Sequence, residues 1–189
     1  MPPRRLKKKR SKGPSALEWI IVVVVILIVG WAIWSFVQPS TSTTTSVSSA
    51  PDFTLPVIGP NGPTGQTIQL SSFRGRVVFL EFMEPWCPHC QHMAPIVENL
   101  YKEYGSQVVF ISISANWQGA TAQDVATFEQ TYGSNWIFLY DSSGMVFQEY
   151  GVNSTPTFFI VGKTGSVYTT YQGEQTFDTL ATDLTRASG

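Results

Sequence analysis

Two cysteines, the only ones in 189 residues, stand at Cys87 and Cys90 inside the stretch EFMEPWCPHCQHMAP, Glu81 to Pro95. A structural disulfide framework uses more cysteines at wider spacing, so C-x-x-C points to redox chemistry or to metal binding. An apolar strand leads into the motif, and Pro88 suits the first turn of a following helix. Cys87 then sits at a helix N-terminus, where backbone N–H groups and the helix dipole stabilise a thiolate. Cys90 lies one turn further on and can close a disulfide with Cys87. The more buried position of Cys90 makes Cys87 the attacking sulfur and Cys90 the resolving one. His89, between them, has two ways to act. It can donate a hydrogen bond to the Cys87 thiolate or place positive charge beside it, and either makes the disulfide more oxidising. His92 reads as a plain surface histidine.

The elements that must position this motif follow from pattern. Val77–Met83, VVFLEFM, is a continuous apolar run with one acid inside, the mark of a central strand buried on both faces. Before it, DFTLPV and TIQL read as strands flanking a turn from Gly59 to Gly65. After the motif a helix runs to Tyr104–Gly105, with a kink expected at Pro95. VVFISIS (Val108–Ser114) is a second buried strand. TAQDVATFEQTY is a helix with Gly133 beyond its end. NWIFLYD is a short strand, and SSGMVFQEYG a turn with a short helix. TFFIV (Thr157–Val161) and SVYTTYQ (Ser166–Gln172) form a hairpin through Gly162–Gly165, and TFDTLATDLTRA closes as a helix. The predicted class is α/β, a central mixed β-sheet with helices on both faces.

Charge divides the chain. Seven of the twelve basic residues lie within the first twelve positions, Arg4 to Lys12. From Ala50 onward there are five basic residues against twelve acidic ones, a net charge of −7. An acidic globular part argues against a nucleic-acid partner. Residues 17–37, LEWIIVVVVILIVGWAIWSFV, match the roughly 20 apolar residues that span a bilayer as a helix. Trp19, Trp31 and Trp34 fall near its ends, and the basic tail of residues 1–16 belongs on the cytoplasmic side. A cleaved signal peptide would have a shorter apolar region with a small-residue site close behind. The nearest such site here, Ser48–Ser49–Ala50, is distant and followed by Pro51, which favours an uncleaved anchor. No cysteine near the anchor is available for lipid attachment. Residues 38–50 are a Ser/Thr-rich spacer, and residues 51–189 form the globular domain, expected outside the cytoplasm.

W-C-P-H-C after a hydrophobic strand resembles the thioredoxin superfamily, and C-P-H-C itself resembles the disulfide-forming DsbA proteins. The surrounding chain is more similar to the membrane-anchored TlpA/ResA group. Its points of likeness are the anchor, the opening Pro51–Asp52–Phe53–Thr54–Leu55 and the L-x-x-F-R-G-R turn, Leu70 to Arg76. The resemblance covers Ala50 to Ala187. It implies a thioredoxin-like fold and thiol–disulfide exchange with exported protein thiols, served by a redox partner in the membrane and needing no cofactor or resident metal. It also implies a cis bond before Pro156, in a loop facing the disulfide, with Thr155 offering its backbone to a substrate chain. Glu81 matches the buried acid of thioredoxin that relays a proton to or from the second cysteine. A carboxyl in an apolar strand has a raised pKa and suits general-base work near neutrality. The chain departs from the pattern in having no lysine on VVFISIS to partner that acid. Trp86 and Pro88 form part of the docking surface around the sulfurs.

Other readings compete. Cys87, Cys90, His92 and Met93 offer soft ligands for Cu(I), as in a metal chaperone of thioredoxin-like fold. Peroxiredoxins resemble a pattern with threonine three residues before the reactive cysteine, where this chain has Glu84. The disulfide could also be inert. Asn153–Ser154–Thr155 matches a glycosylation sequon but is followed at once by Pro156. The direction of exchange stays open: C-P-H-C leans toward an oxidant, while the anchored build leans toward a reductase.

Overall fold

The computed structural model describes residues 49–189 together with Leu27, Ile28 and Trp31. The chain divides into two units, residues 1–45 and 46–189. In the first, Leu27, Ile28 and Trp31 are helical and exposed. The predicted tail and most of the anchor and spacer lie outside the described residues. Among the described residues no helix is long and apolar enough to cross a membrane.

The second unit is built on one seven-stranded sheet. Its strands are β1 (Thr54–Gly59), β2 (Gly62–Gln69), β3 (Val77–Phe82), β4 (Val108–Ala115), β5 (Ile137–Asp141), β6 (Thr157–Val161) and β7 (Val167–Gln172). Their order is β2-β1-β5-β4-β3-β6-β7. The pairs β3–β4 and β4–β5 are parallel and the remaining pairs antiparallel, so the sheet is mixed. The helices are α1 (Pro88–Tyr104), α2 (Ala122–Tyr132), α3 (Met145–Glu149) and α4 (Phe177–Ser188).

β3 is buried at every position, and its side chains alternate between two cores, as the period of a strand requires. Val77 and Phe79 pack with Met93, Val97 and Leu100 of α1, Val125 and Phe128 of α2, and Leu180 and Leu184 of α4. Val78, Leu80 and Phe82 pack on the other face with Phe147 of α3, Tyr150 and Phe159. Helices therefore cover both faces, three on one and the five-residue α3 on the other. Phe82 sits among the rings of Phe147, Tyr150 and Phe159, with centroids 4.9 to 5.5 Å away, a spacing at which aromatic edges and faces attract.

Local chemistry sets the boundaries. Thr121 and Asp124 form a reciprocal capping box at the start of α2, and Gly133 closes that helix in the left-handed region at φ 63°. α1 runs unbroken through Pro95 to Tyr104. The first hairpin differs from expectation. Gly62 to Gly65 belong to β2 rather than to a turn, with Gly59 opposite Gly62 and Ile58 opposite Pro63. That leaves only Pro60 and Asn61 as the turn. Gly62 and Gly65 have φ of 103° and 79°, values open to glycine that let a side-chain-poor segment still pair through its backbone. The domain also begins slightly earlier than Pro51. Ser49 bridges to Ser166, and Ala50 is buried with its N–H donated to the Gly165 carbonyl.

Candidate active site

The site forms where β3 ends and α1 begins. Cys87 is the N-cap of α1, with extended backbone (φ −76°, ψ 117°), and Pro88 fills the first turn. The Cys87 Sγ accepts a hydrogen bond from the Cys90 N–H at 3.4 Å, so one of the unpaired donors at the helix start is aimed at this sulfur. Both cysteines are free thiols. Cys87 keeps 4% exposure and Cys90 none. Burial, and next the charge of Glu81, push the Cys90 thiol well above its ordinary range.

Thr155 and Pro156 meet the pair from the loop before β6. Their peptide bond is cis, and the Cys87 thiol donates to the Thr155 carbonyl at 3.5 Å. Trp86 is 42% exposed beside the motif. Its indole N–H donates to the Trp117 carbonyl at 3.3 Å, which fixes the ring against the turn after β4. A groove of about 470 Å³ opens there, lined in part by Pro85, Trp86, Gln91, Ala120 and Phe128.

Glu81 is 2% exposed. Parallel pairing of β3 with β4 sets it opposite Ser112, and the Ser112 hydroxyl donates to Glu81 Oε2 at 2.5 Å. Ser112 in turn accepts from the Trp136 indole N–H at 2.8 Å. The lysine missing from β4 is thus replaced by a neutral donor. Burial raises the Glu81 pKa to about 7 against the opposing pull of that hydrogen bond.

Sequence reasoning missed a second buried acid. Glu84 is fully buried and accepts from the Ser114 hydroxyl and the Ala115 N–H, both at 3.0 Å. Burial raises it too, to about 7. Its own carbonyl accepts the Cys87 N–H at 3.0 Å. The signal was present: Ser112 and Ser114 are two small hydroxyl donors in an otherwise apolar strand, facing a segment with two acids.

His89 does not take its described partner from the sulfurs. Its Nδ1 lies 2.6 Å from Glu174 Oε1, and His92 Nδ1 lies 3.3 Å from the same oxygen. The two imidazoles hold the Glu174 carboxyl below its usual range. His92 is a surface histidine, 72% exposed, as expected, but it has a partner in Glu174, a residue that sequence reasoning missed. The soft set proposed for Cu(I) does not assemble either. Met93 is buried in the core with its sulfur accepting from the Gln175 N–H at 3.4 Å, whereas His92 faces Glu174.

The fold and the paired sulfurs define a thioredoxin-like protein of the disulfide-exchanging kind. Over residues 45–184 the chain matches the Redoxin family, and it belongs to that family. It is 31% identical over 171 residues to the thiol-disulfide oxidoreductase ResA of Bacillus subtilis (strain 168), covering 90% of each chain. Among solved structures it is similar to a putative thiol:disulfide interchange protein DsbE from Chlorobium tepidum. That likeness has TM-score 0.66 and 25% identity, and covers 75% of this chain and 96% of that one. It is also similar to the exposed lipoprotein thioredoxin Etrx1 of Streptococcus pneumoniae strain TIGR4, at TM-score 0.60 and 27% identity, covering 72% and 99%. The chain is a thiol–disulfide oxidoreductase with Cys87 and Cys90 as its C-x-x-C pair.

Proposed function

We propose that this oxidoreductase works outside the cytoplasm, held to the membrane by residues 17–37, and exchanges disulfides with exported proteins through Cys87. The observation that carries the reading is the environment of one sulfur. Cys87 Sγ caps α1, receives the Cys90 N–H at 3.4 Å and faces the Thr155 carbonyl at 3.5 Å. A thiolate there is stabilised by the helix terminus, and Cys90, buried and held protonated, waits one turn away.

The exchange balances as follows. In the reducing direction the Cys87 thiolate attacks a substrate disulfide and expels one substrate thiolate, which takes up a proton. Cys90 then gives its proton to the Glu81 carboxylate and attacks Cys87 Sγ. The second substrate thiolate leaves, and the protein holds the Cys87–Cys90 disulfide. In the oxidising direction every step reverses, and protonated Glu81 returns the proton to Cys90. Thr155 and Pro156 line the approach of the substrate chain, and Trp86 and Pro88 flank it. The C-P-H-C sequence leans the chemistry toward oxidation, although His89 spends its Nδ1 on Glu174 Oε1 at 2.6 Å rather than on the sulfurs. A domain outside the cytoplasm agrees with the basic residues that precede the anchor. The pneumococcal relative is described as an exposed lipoprotein. A redox partner in the membrane would reset the pair.

The test of direction is the reduction potential of the full chain in detergent, equilibrated against glutathione and dithiothreitol buffers. A value near about −120 mV is expected for an oxidant. A value near about −270 mV or lower would make the protein a reductant. The test of mechanism is trapping. Cys90→Ser is expected to accumulate mixed disulfides with a reporter protein and Cys87→Ser to lose turnover. Normal insulin reduction by Cys87→Ser protein would sink the scheme.

A further inference from the structure

The sequence contains two histidines, and both converge on one carboxylate. His89 and His92 stand three residues apart on the first turns of α1, so they share a helix face. Glu174 comes from the loop between β7 and α4 and places Oε1 at 2.6 Å and 3.3 Å from their Nδ1 atoms. One ligand atom from each of the three residues lies within 4.8 Å of the others. The side chains are well exposed, at 67%, 72% and 44%, so further positions are open to water.

We propose that His89, His92 and Glu174 form a binding site for a divalent transition metal of borderline softness, with zinc as the representative ion. Two imidazoles and a carboxylate are a zinc ligand set, with two Zn–N bonds of about 2.0–2.1 Å, one Zn–O bond of about 2.0–2.2 Å and water completing the tetrahedron. Bonds of that length at tetrahedral angles put ligand atoms roughly 3.3 Å apart. His92 and Glu174 already stand at 3.3 Å. His89 and Glu174 need to part by less than an ångström from 2.6 Å, a movement that exposed side chains make freely. Two ligands on one helix turn are held in place by the backbone, which lowers the ordering cost of binding. The site uses no sulfur, so it stays available when Cys87 and Cys90 are joined, and its existence does not rest on the exchange chemistry. Its occupant would share His89 with the redox pair.

The test is calorimetric titration of zinc chloride into the full chain in detergent, with the cysteine pair oxidised so that no thiolate competes. One equivalent of zinc is expected to bind. His92→Ala and Glu174→Ala are each expected to weaken binding by about tenfold or more, since even indirect partners of metal ligands are worth 10–100-fold. The Cys87→Ser/Cys90→Ser protein is expected to bind as the oxidised wild type does. All substituted histidine and glutamate side chains are exposed, and an unchanged thermal midpoint confirms that the fold is kept. No zinc binding by the oxidised protein, equal binding by Glu174→Ala, or loss of binding in the double serine variant would each overturn the proposal.

Discussion

Replacing Glu81 by glutamine separates what that acid does for function from what it does to stability. The Glu81 pKa stands at about 7 in the folded chain against an ordinary 4.5. Because the folded-state value is raised, the folded protein holds this proton more tightly than the unfolded one. Below pH 4.5 both states are protonated and the difference costs nothing. As pH climbs from 4.5 to about 7 the unfolded carboxyl ionises first, and the gap corresponds to ~3 kcal/mol of stability lost by the time the folded group ionises. Glu84 titrates in the same window for the same reason. Glu81→Gln is therefore expected to remove a large part of the fall in stability between pH 4.5 and 7, and Glu81→Gln/Glu84→Gln most of it, with Glu129, also raised by burial, keeping a share. Guanidinium unfolding across that range reads the slope. Catalysis moves the other way. Resolution by Cys90 needs a base for its proton, so its rate is expected to rise with pH through about 7 in the wild type. In Glu81→Gln that inflexion disappears and the step slows by about 10²–10⁴-fold. Acid-quenched time points, with the mixed disulfide quantified by mass spectrometry, measure it. A Glu81→Gln protein that resolves at the wild-type rate with the inflexion intact would refute the role of this carboxyl.

Two further perturbations follow from the same geometry. Ser112→Ala strips Glu81 of its donor and leaves the buried Trp136 N–H without its acceptor. A loss of about 1–3 kcal/mol is expected on denaturant unfolding, together with an upward shift of the inflexion set by Glu81. Gly165→Ala meets a φ of 81° and an Arg74 guanidinium lying where the new Cβ would go. The arginine can swing aside, so the backbone dominates and a cost of about 1–3 kcal/mol is expected, with Arg74→Ala failing to restore stability.

The strand, the helix start and the two sulfurs were legible because each rests on local chemistry. Val77–Met83 is apolar throughout, Pro88 suits a first turn, and C-x-x-C fixes the sulfur spacing by helix geometry. Glu81 was legible as a buried acid from its apolar neighbours alone. Its partner was not, because the expected partner was a charge, and Ser112 is found only once the parallel register of β3 and β4 is known. Glu84 escaped for a similar reason: its donors, Ser114 and the Ala115 N–H, belong to the neighbouring strand. Glu174 lies 85 positions from His89, and only the sheet order brings the end of β7 beside the start of α1. Glycine usually marks a turn, but in Gly62–Gly65 backbone pairing with β1 outweighs the poor strand propensity.

The attacking role of Cys87 is tested most directly by alkylating the fully reduced chain with substoichiometric iodoacetamide and locating the label by mass spectrometry. Modification is expected at Cys87, the sulfur that caps α1 and keeps 4% exposure against none for Cys90, with Cys90 left as the thiol. Label found first at Cys90 would contradict the assignment and reverse the order of attack and resolution.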